Sequence, residues 1–191
     1  MNQLIEEIKH CTICIKHLPL GANPIFAAGK KSKIIIIGQA PGKVVHESGI
    51  PWNDKSGDTL RNWLAIDRTL FYDTDFFALV PMGFCYPGKN KTGDLPPRPE
   101  CAPQWHEKLF SYMKEATLIL LIGNYSQQYY LKEKAESTLT ETVRHYKNYL
   151  PLYFPLPHPS PRNNIWQSKN KWFASEVLPE LQKRVATILS R

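Results

Sequence analysis

Lys33-Ile-Ile-Ile-Ile37, followed without a gap by Gly38-Gln-Ala-Pro-Gly42, is the stretch that decides the fold of this chain. Consecutive β-branched residues with no polar residue among them are typical of a strand that is buried on both faces of a parallel sheet. Glycine and proline directly after such a strand favour a turn. We therefore predict a buried strand at 33–37 and a tight loop at 38–42.

Three other segments have a similar apolar character, at 76–80, 117–122 and 152–156. The second of them is again closed by a glycine, Gly123. The third is weaker, because Pro155 cannot donate a hydrogen bond to a neighbouring strand and favours a strand end or an edge strand. The chain is thus expected to contain four strands.

Segments with helical spacing of apolar residues separate these strands. They cover 57–65, 104–114, 125–131 and 168–189, and Pro179 should kink or break the last one. Trp63 lies among apolar helical neighbours and is expected in the core. The alternation predicts an α/β protein, specifically a three-layer α/β/α sandwich with a central, mostly parallel four-stranded sheet.

The length and charge of the chain narrow its class. Its 191 residues fit a single domain over 1–191, and its formal charge of +7 suits a polyanionic partner such as nucleic acid. We find no apolar stretch of the length that a membrane helix needs, and residues 1–10 are polar, unlike a secretory signal. We expect a cytoplasmic monomer that does not associate with membranes.

The four cysteines fall into two pairs. Cys11 and Cys14 have two residues between them, and Cys85 and Cys101 enclose a long stretch rich in proline, glycine and lysine. Disulfides are disfavoured in the cytoplasm, so the pairs favour a four-thiolate site for an iron–sulfur cluster or for zinc. Four buried thiols without a metal are the alternative.

Two motifs give the chain a family resemblance. Gly38–Gly42 and His158-Pro-Ser-Pro161 resemble the signature motifs of the uracil-DNA glycosylase superfamily. Ser48-Gly-Ile-Pro-Trp52, Lys55-Ser-Gly57 and the positions of the cysteines are similar to the iron–sulfur (family 4-like) branch. The resemblance implies a 4Fe-4S cluster, with zinc as the less favoured occupant, bound by Cys11, Cys14, Cys85 and Cys101.

The resemblance also implies an activity. Such enzymes are monofunctional DNA glycosylases, which hydrolyse the N-glycosidic bond of a flipped-out damaged base and leave an abasic site for base excision repair. The expected partner is DNA that contains a deaminated base, with uracil as the first choice. A catalytically inactive binder of damaged DNA with a structural cluster and a small-molecule nucleotide enzyme are the alternatives, although the chain has no phosphate-binding Gly-x-x-x-x-Gly-Lys motif.

The resemblance assigns roles to residues of both motifs. His158 would donate a hydrogen bond to the base oxygen that gains negative charge, and Trp52 would stack on the flipped base. Asp54 and Gln39 complete the predicted catalytic set. The predicted base-binding residues are Gly38, Ala40, Pro41, Gly42, Trp52 and Pro81, and the predicted DNA-binding residues are Ser160, Arg162 and Asn163.

The chain departs from the family pattern at four positions. The first motif carries Gln39 and Ala40 where some members have an acidic residue that positions the attacking water. Asp54 is the favoured candidate for that role, and the alternatives are His46, Glu47, or the backbone together with phosphates of the substrate. Pro81 stands in the place of an asparagine that recognises uracil, and Gly42 replaces a bulky residue that excludes thymine. The preferred base is therefore left open between uracil, hypoxanthine and xanthine.

Overall fold

A computed structural model describes residues 1–91 and 93–190. Four strands form one sheet, and two short strands form a separate hairpin. In chain order the strands are β1 (Ile34–Ile37), β2 (Phe77–Leu79), β3 (Lys89–Asn90), β4 (Gly93–Asp94), β5 (Leu118–Ile122) and β6 (Tyr153–Leu156). The hairpin of β3 and β4 lies inside the long stretch between Cys85 and Cys101, where no strand was predicted.

The main sheet has the order β2-β1-β5-β6, and all neighbouring strands are parallel. The mostly parallel four-stranded sheet is therefore confirmed, and β6, which contains Pro155, is an edge strand. The carboxyl ends of parallel strands meet at one edge of a sheet, where α/β proteins place their binding sites. Here that edge carries Gly38, Gly123 and the segments that lead to Pro81 and His158.

The helices surround this sheet. They are α1 (Asn2–Lys9), α2 (Lys43–Ser48), α3 (Lys55–Leu64), α4 (Arg68–Phe71), α5 (Cys101–Phe110), α6 (Asn124–Leu131), α7 (Leu139–Arg144), α8 (Asn164–Lys169) and α9 (Leu178–Leu189). None of the described helices is long and apolar enough to cross a membrane.

Two buried clusters show that the domain has three layers. Alternate residues of β1 point to opposite faces of the sheet, so Ile34 and Ile36 join one cluster, while Ile35 and Ile37 join the other. The first cluster contains residues of α3 and α9, and the second contains residues of α1, α5 and α6. Burial of each such side chain contributes about 1.5–3 kcal/mol, which explains why the apolar run forms the central strand.

Several helix boundaries differ from the predictions. The segment at 57–65 begins two residues earlier, because the Asp54 carboxylate accepts a hydrogen bond from the Gly57 amide and caps α3. The helix expected at 104–114 is α5, which starts at Cys101 and ends at Phe110. The segment at 168–189 is interrupted after α8, and a π-helical turn at Phe173–Val177 runs directly into α9. Pro179 lies in the first turn of α9, so the distortion expected from this proline lies just before it.

Candidate active site

A cavity of about 330 Å³ opens at the carboxyl edge of the sheet. It receives residues from the loop after β1, the segment before α3, the segment after β2, the hairpin and the loop after β6. Most of the predicted site residues line it, namely Gly38, Gln39, Ala40, Pro41, Gly42, Trp52, Asp54, Pro81, His158, Ser160 and Arg162. The fold thus brings together residues that are up to 124 positions apart, from Gly38 to Arg162.

Asn163 is the one predicted site residue of this loop that does not line the cavity. Its side-chain amide donates a hydrogen bond of 2.7 Å to the backbone oxygen of His158. On the same loop, the Ser160 hydroxyl accepts a hydrogen bond from the Arg162 amide. Both contacts hold the loop after β6 in a fixed conformation, so the direct structural effect of Asn163 is on the position of His158.

His158 is partly buried at the end of β6. Loss of hydration lowers the pKa of its imidazole below the usual value, although Asp54 and Asp94 act electrostatically in the opposite direction. The ring is therefore neutral at physiological pH. A neutral imidazole carries one N–H, which can donate a hydrogen bond to an acceptor in the cavity without adding a full positive charge.

The Trp52 ring packs between two motif residues. It stacks on the His158 ring, with 5.9 Å between ring centroids and 29° between the planes. A Cβ atom on Gly38 would lie only 2.6 Å from Trp52 Cζ2, so a larger residue at position 38 would displace the indole. The glycine that ends β1 therefore allows the close approach of the tryptophan.

The backbone of Trp52 is in the left-handed region, with φ of 58°, which is unfavourable for a bulky side chain. Three neighbours hold this strained turn. Arg61, whose side chain is buried, donates to the Trp52 carbonyl at 3.3 Å, and the Tyr72 hydroxyl donates to the Pro51 carbonyl at 2.8 Å. Gly57 lies so close that a Cβ there would be 1.8 Å from the Trp52 oxygen. Strain of about 1–3 kcal/mol that surrounding contacts enforce is typical of functional sites.

The loop at 38–42 is fixed to the segment after β2. The Met82 amide donates to the Gly38 carbonyl at 2.9 Å, and the Gly83 amide donates to the Gln39 carbonyl at 3.0 Å. The Gln39 side chain contacts the Leu95 carbonyl beyond the hairpin, at 3.5 Å. The backbone of the loop is therefore held in place before any ligand binds.

Among the described residues, two carboxylates line the cavity, and only Asp54 was predicted. Asp54 uses Oδ1 to cap α3, at 2.8 Å from the Gly57 nitrogen. Asp94 enters from β4, and its Oδ2 lies 3.4 Å from the position that a Cβ on Gly42 would take. His46 and Glu47, which we considered as alternatives to Asp54, do not line the cavity. No local pattern marks Asp94, because only the hairpin brings it to the site.

The side chain of Pro81 has no group that could form a hydrogen bond with a ligand. Its backbone carbonyl accepts a hydrogen bond from a buried histidine, His106. His106 Nε2 lies 3.0 Å from the Pro81 oxygen, and His106 Nδ1 lies 2.5 Å from the Tyr130 hydroxyl. Since a carbonyl can only accept, Nε2 carries the proton and Nδ1 accepts from Tyr130. Burial lowers the pKa of His106 to about 4, so the imidazole is neutral.

The lowered pKa of His106 predicts that the protein loses stability as the pH falls. An unfolded histidine titrates near pH 6.5, whereas folded His106 titrates at about 4, so only the unfolded state takes up a proton in that window. The free energy of unfolding should therefore fall by about 2–3 kcal/mol between pH 7 and pH 4.5 through this residue. Urea unfolding of the wild type and His106→Gln at both pH values measures the difference, with exposed His17→Gln as control. Equal pH dependence in all three proteins would contradict the assignment.

The four cysteines converge on a second, smaller cavity. Their side chains line it together with Leu18, Pro24, Phe84, Arg98 and Trp105, and none of them forms a disulfide. Burial raises the pKa of Cys85 to about 11 and that of Cys101 to about 12. In the described part of the chain, no group of three or more His, Cys, Asp or Glu side chains is arranged to hold a metal ion. The four cysteines that were predicted to bind a metal nevertheless line the same cavity.

An ion pair borders the cysteine cavity. Arg98 donates to both carboxylate oxygens of Glu100, at 3.1 and 2.5 Å. These hydrogen bonds hold the pKa of Glu100 down to about 2. The pair directly precedes α5, the helix on which Cys101 and His106 both lie.

A comparison with protein families finds one matching model, described as the Uracil DNA glycosylase superfamily, over residues 26–182. The matched range covers most of the chain and contains every predicted residue of the main cavity. It also contains Cys85 and Cys101, whereas Cys11 and Cys14 precede it.

Proposed function

The chain belongs to the uracil DNA glycosylase superfamily, whose members are hydrolases that act on DNA, and from this we propose that it excises a deaminated base, in the first instance uracil. One observation carries the proposal. The Trp52 and His158 rings are stacked, with 5.9 Å between their centroids, in a cavity that is bordered by the loop after β1. An aromatic surface beside a neutral hydrogen-bond donor suits a flipped, uncharged base.

In the proposed reaction, cleavage of the glycosidic bond leaves negative charge on the base and positive charge on the sugar. His158 donates its N–H to the base oxygen on which the negative charge develops, while the base stacks on Trp52. Because the pKa of His158 is lowered by burial, the imidazole stabilises this charge through a hydrogen bond without transferring its proton. Asn163 donates a hydrogen bond to the His158 carbonyl, which holds the loop that carries the ring.

The attacking water needs an acceptor on the opposite side of the sugar. Asp54 lines the cavity and uses one oxygen as the cap of α3, which leaves the other oxygen for the water. Its negative charge also favours the cationic sugar. Gln39 lies in the same cavity and supports the loop through its contact with Leu95.

Binding of DNA would use the positive charges around the cavity. Arg162 and Ser160 line its opening, and Lys43, Lys55, Lys89 and Lys91 lie on neighbouring segments. With a net charge of +7, affinity for DNA should decrease steeply as salt concentration rises. In this proposal Ser160, Arg162 and Asn163 hold the strand from which the base is extruded.

We further propose that Cys11, Cys14, Cys85 and Cys101 bind a 4Fe-4S cluster. All four thiols line one cavity with an apolar surround, and a set of four thiolates suits such a cluster. When bound, the cluster would pin the N-terminal segment and both ends of the hairpin stretch to the domain. Zinc is the competing occupant, because four thiolates also suit that ion.

Anaerobically purified protein tests the cofactor. We expect broad visible absorbance with stoichiometric iron and acid-labile sulfide, and the loss of both signals in Cys101→Ser. Ser111→Ala, a change at an exposed hydroxyl beyond the end of α5, should keep them. A colourless protein with one zinc per chain, or with no metal, would overturn the cluster.

The activity is tested with duplex and single-stranded oligonucleotides that carry one uracil, hypoxanthine or xanthine. We expect alkali-labile abasic sites from at least the uracil substrate. Tight, salt-dependent binding to these oligonucleotides without abasic product would instead favour the non-catalytic binder of damaged DNA. Absence of both binding and cleavage would refute the proposed function in either form.

A further inference from the structure

The hairpin of β3 and β4 brings a carboxylate to the cavity that the proposed reaction does not use. Asp94 lies at the end of β4 and lines the cavity beside Gly42. Within residues 1–91 and 93–190, no hydrogen bond or ion pair joins the Asp94 side chain to another residue. The carboxylate is exposed to solvent beside a cavity that is proposed to take DNA, where it repels phosphate and favours a ligand group that donates a hydrogen bond.

The fit between Asp94 and Gly42 shows where this carboxylate points. A Cβ on residue 42 would be 3.4 Å from Asp94 Oδ2, which is ordinary contact distance, so the carboxylate lies directly beside Gly42. The hairpin also meets the loop after β6, because a Cβ on Gly93 would lie 2.6 Å from Arg162 Nη1. Asp94 is therefore part of the cavity wall.

Apart from Asp94, the residues that line the cavity offer the hydrogen-bonding edge of a base no fully available charged acceptor. The Pro81 carbonyl accepts a hydrogen bond from His106, and the Gln39 side-chain nitrogen is turned to Leu95. One carboxylate oxygen of Asp54 accepts the hydrogen bond that caps α3, and His158 is a donor in the proposed reaction. Asp94 is the carboxylate in the described lining whose two oxygens both remain available to a ligand.

Deamination changes the base in a way that a carboxylate can detect. In cytosine and adenine the ring nitrogen of the pairing edge is a hydrogen-bond acceptor, whereas in uracil and hypoxanthine the same nitrogen carries a hydrogen. A carboxylate accepts a hydrogen bond from that N–H and repels the lone pair of the parent base. Flipped bases are commonly read on this edge.

We propose that Asp94 reads the flipped base by accepting a hydrogen bond from the ring N–H that deamination creates. The proposal rests on the proposed function and defines its substrate class as bases with an N–H at that ring position, uracil and hypoxanthine in particular. Thymine and guanine also carry this N–H, so their exclusion must depend on shape or on pairing in the duplex.

The test compares uracil with 3-methyluracil, which keeps the oxygens and lacks the N–H, in single-turnover reactions. Hydrogen bonds to charged groups predict that Asp94→Ala slows excision of uracil by roughly 10- to 100-fold and changes that of 3-methyluracil little. Asp94→Asn, which keeps an acceptor oxygen without the charge, should fall between the wild type and Asp94→Ala. Glu47→Ala, which removes a nearby exposed carboxylate outside the cavity, should keep the wild-type preference.

Three results would overturn the proposal. Equal slowing of both substrates by Asp94→Ala would assign Asp94 to the reaction itself, and unchanged excision of uracil would show that it does not contact the base. Faster cleavage of 3-methyluracil with no loss on uracil would mean that Asp94 acts only by its size.

A separate measurement distinguishes failure of this proposal from failure of the proposed function. If the wild type cleaves no base, binding to an oligonucleotide with 2′-fluoroarabino-uridine, which resists hydrolysis, replaces the rate measurement. A preference for uracil over 3-methyluracil that disappears in Asp94→Ala would then support base reading by an inactive protein. Binding without such a preference would refute base reading by Asp94.

Discussion

Replacement of His158 with alanine is expected to slow base excision by roughly 100- to 1,000-fold, the usual effect of removing one donor to an oxygen that gains charge. The reason lies in the position of the ring, which is partly buried against Trp52 and kept neutral by the loss of hydration. Because the donor acts on charge that develops during the reaction, the loss should appear in the single-turnover rate at saturating enzyme. Affinity for an uncleavable uracil oligonucleotide should change by only a few-fold.

The control for this prediction is His145→Ala. His145 is exposed, contacts Glu136 and lies outside the cavity, so its removal should leave the rate unchanged. His158→Gln should retain part of the activity, since an amide can still donate a hydrogen bond. If His158→Ala reduced binding and rate by the same factor, the residue would serve in binding and not in stabilisation of the transition state.

Replacement of Gly57 with alanine is expected to disrupt the cavity and to destabilise the domain. Gly57 lies inside α3, where alanine is ordinarily more favourable than glycine by about 0.5–1 kcal/mol. In this fold the added Cβ would lie 1.8 Å from the Trp52 oxygen and 2.7 Å from the Trp52 carbonyl carbon, so the strained turn must move. We expect the free energy of unfolding to fall by about 1–3 kcal/mol.

The same change should affect activity through Trp52. Displacement of the indole removes the stacking surface, which is worth about 1–3 kcal/mol per base, so excision should slow roughly 10- to 100-fold. Urea unfolding and single-turnover assays measure the two effects. Asn62→Ala, at an exposed position of the same helix, serves as the matched control. A Gly57→Ala protein that is more stable and fully active would show that the turn at Trp52 is not rigid.

The fold could be predicted from the sequence because its central strands are apolar on both faces. The run Ile34–Ile37 has no amphipathic alternation, which is possible only between two layers of helices, and Pro155 correctly indicated an edge strand. Helix boundaries were less accurate, because they depend on local hydrogen bonds such as the cap that Asp54 forms for α3. The short hairpin was missed because a ladder of two residues per strand has no periodicity to detect.

The part of the candidate site that could be predicted consists of residues within the two sequence motifs. Gly38–Gly42 and His158 follow strands of one parallel sheet, so the topology alone brings them to the same edge. The four cysteines likewise share a cavity, as their spacing suggested.

What the sequence by itself determined is the order and burial of the strands, and with it the edge at which the two motifs meet. Only the tertiary structure decided which side chains line the cavity at this edge. Asp94 reaches the cavity because a hairpin folds back over Gly42, and Trp52 is held in a strained turn by Arg61, Tyr72 and Gly57. Such contacts join residues without a shared periodicity, so they arise from packing between segments and leave no pattern in the sequence.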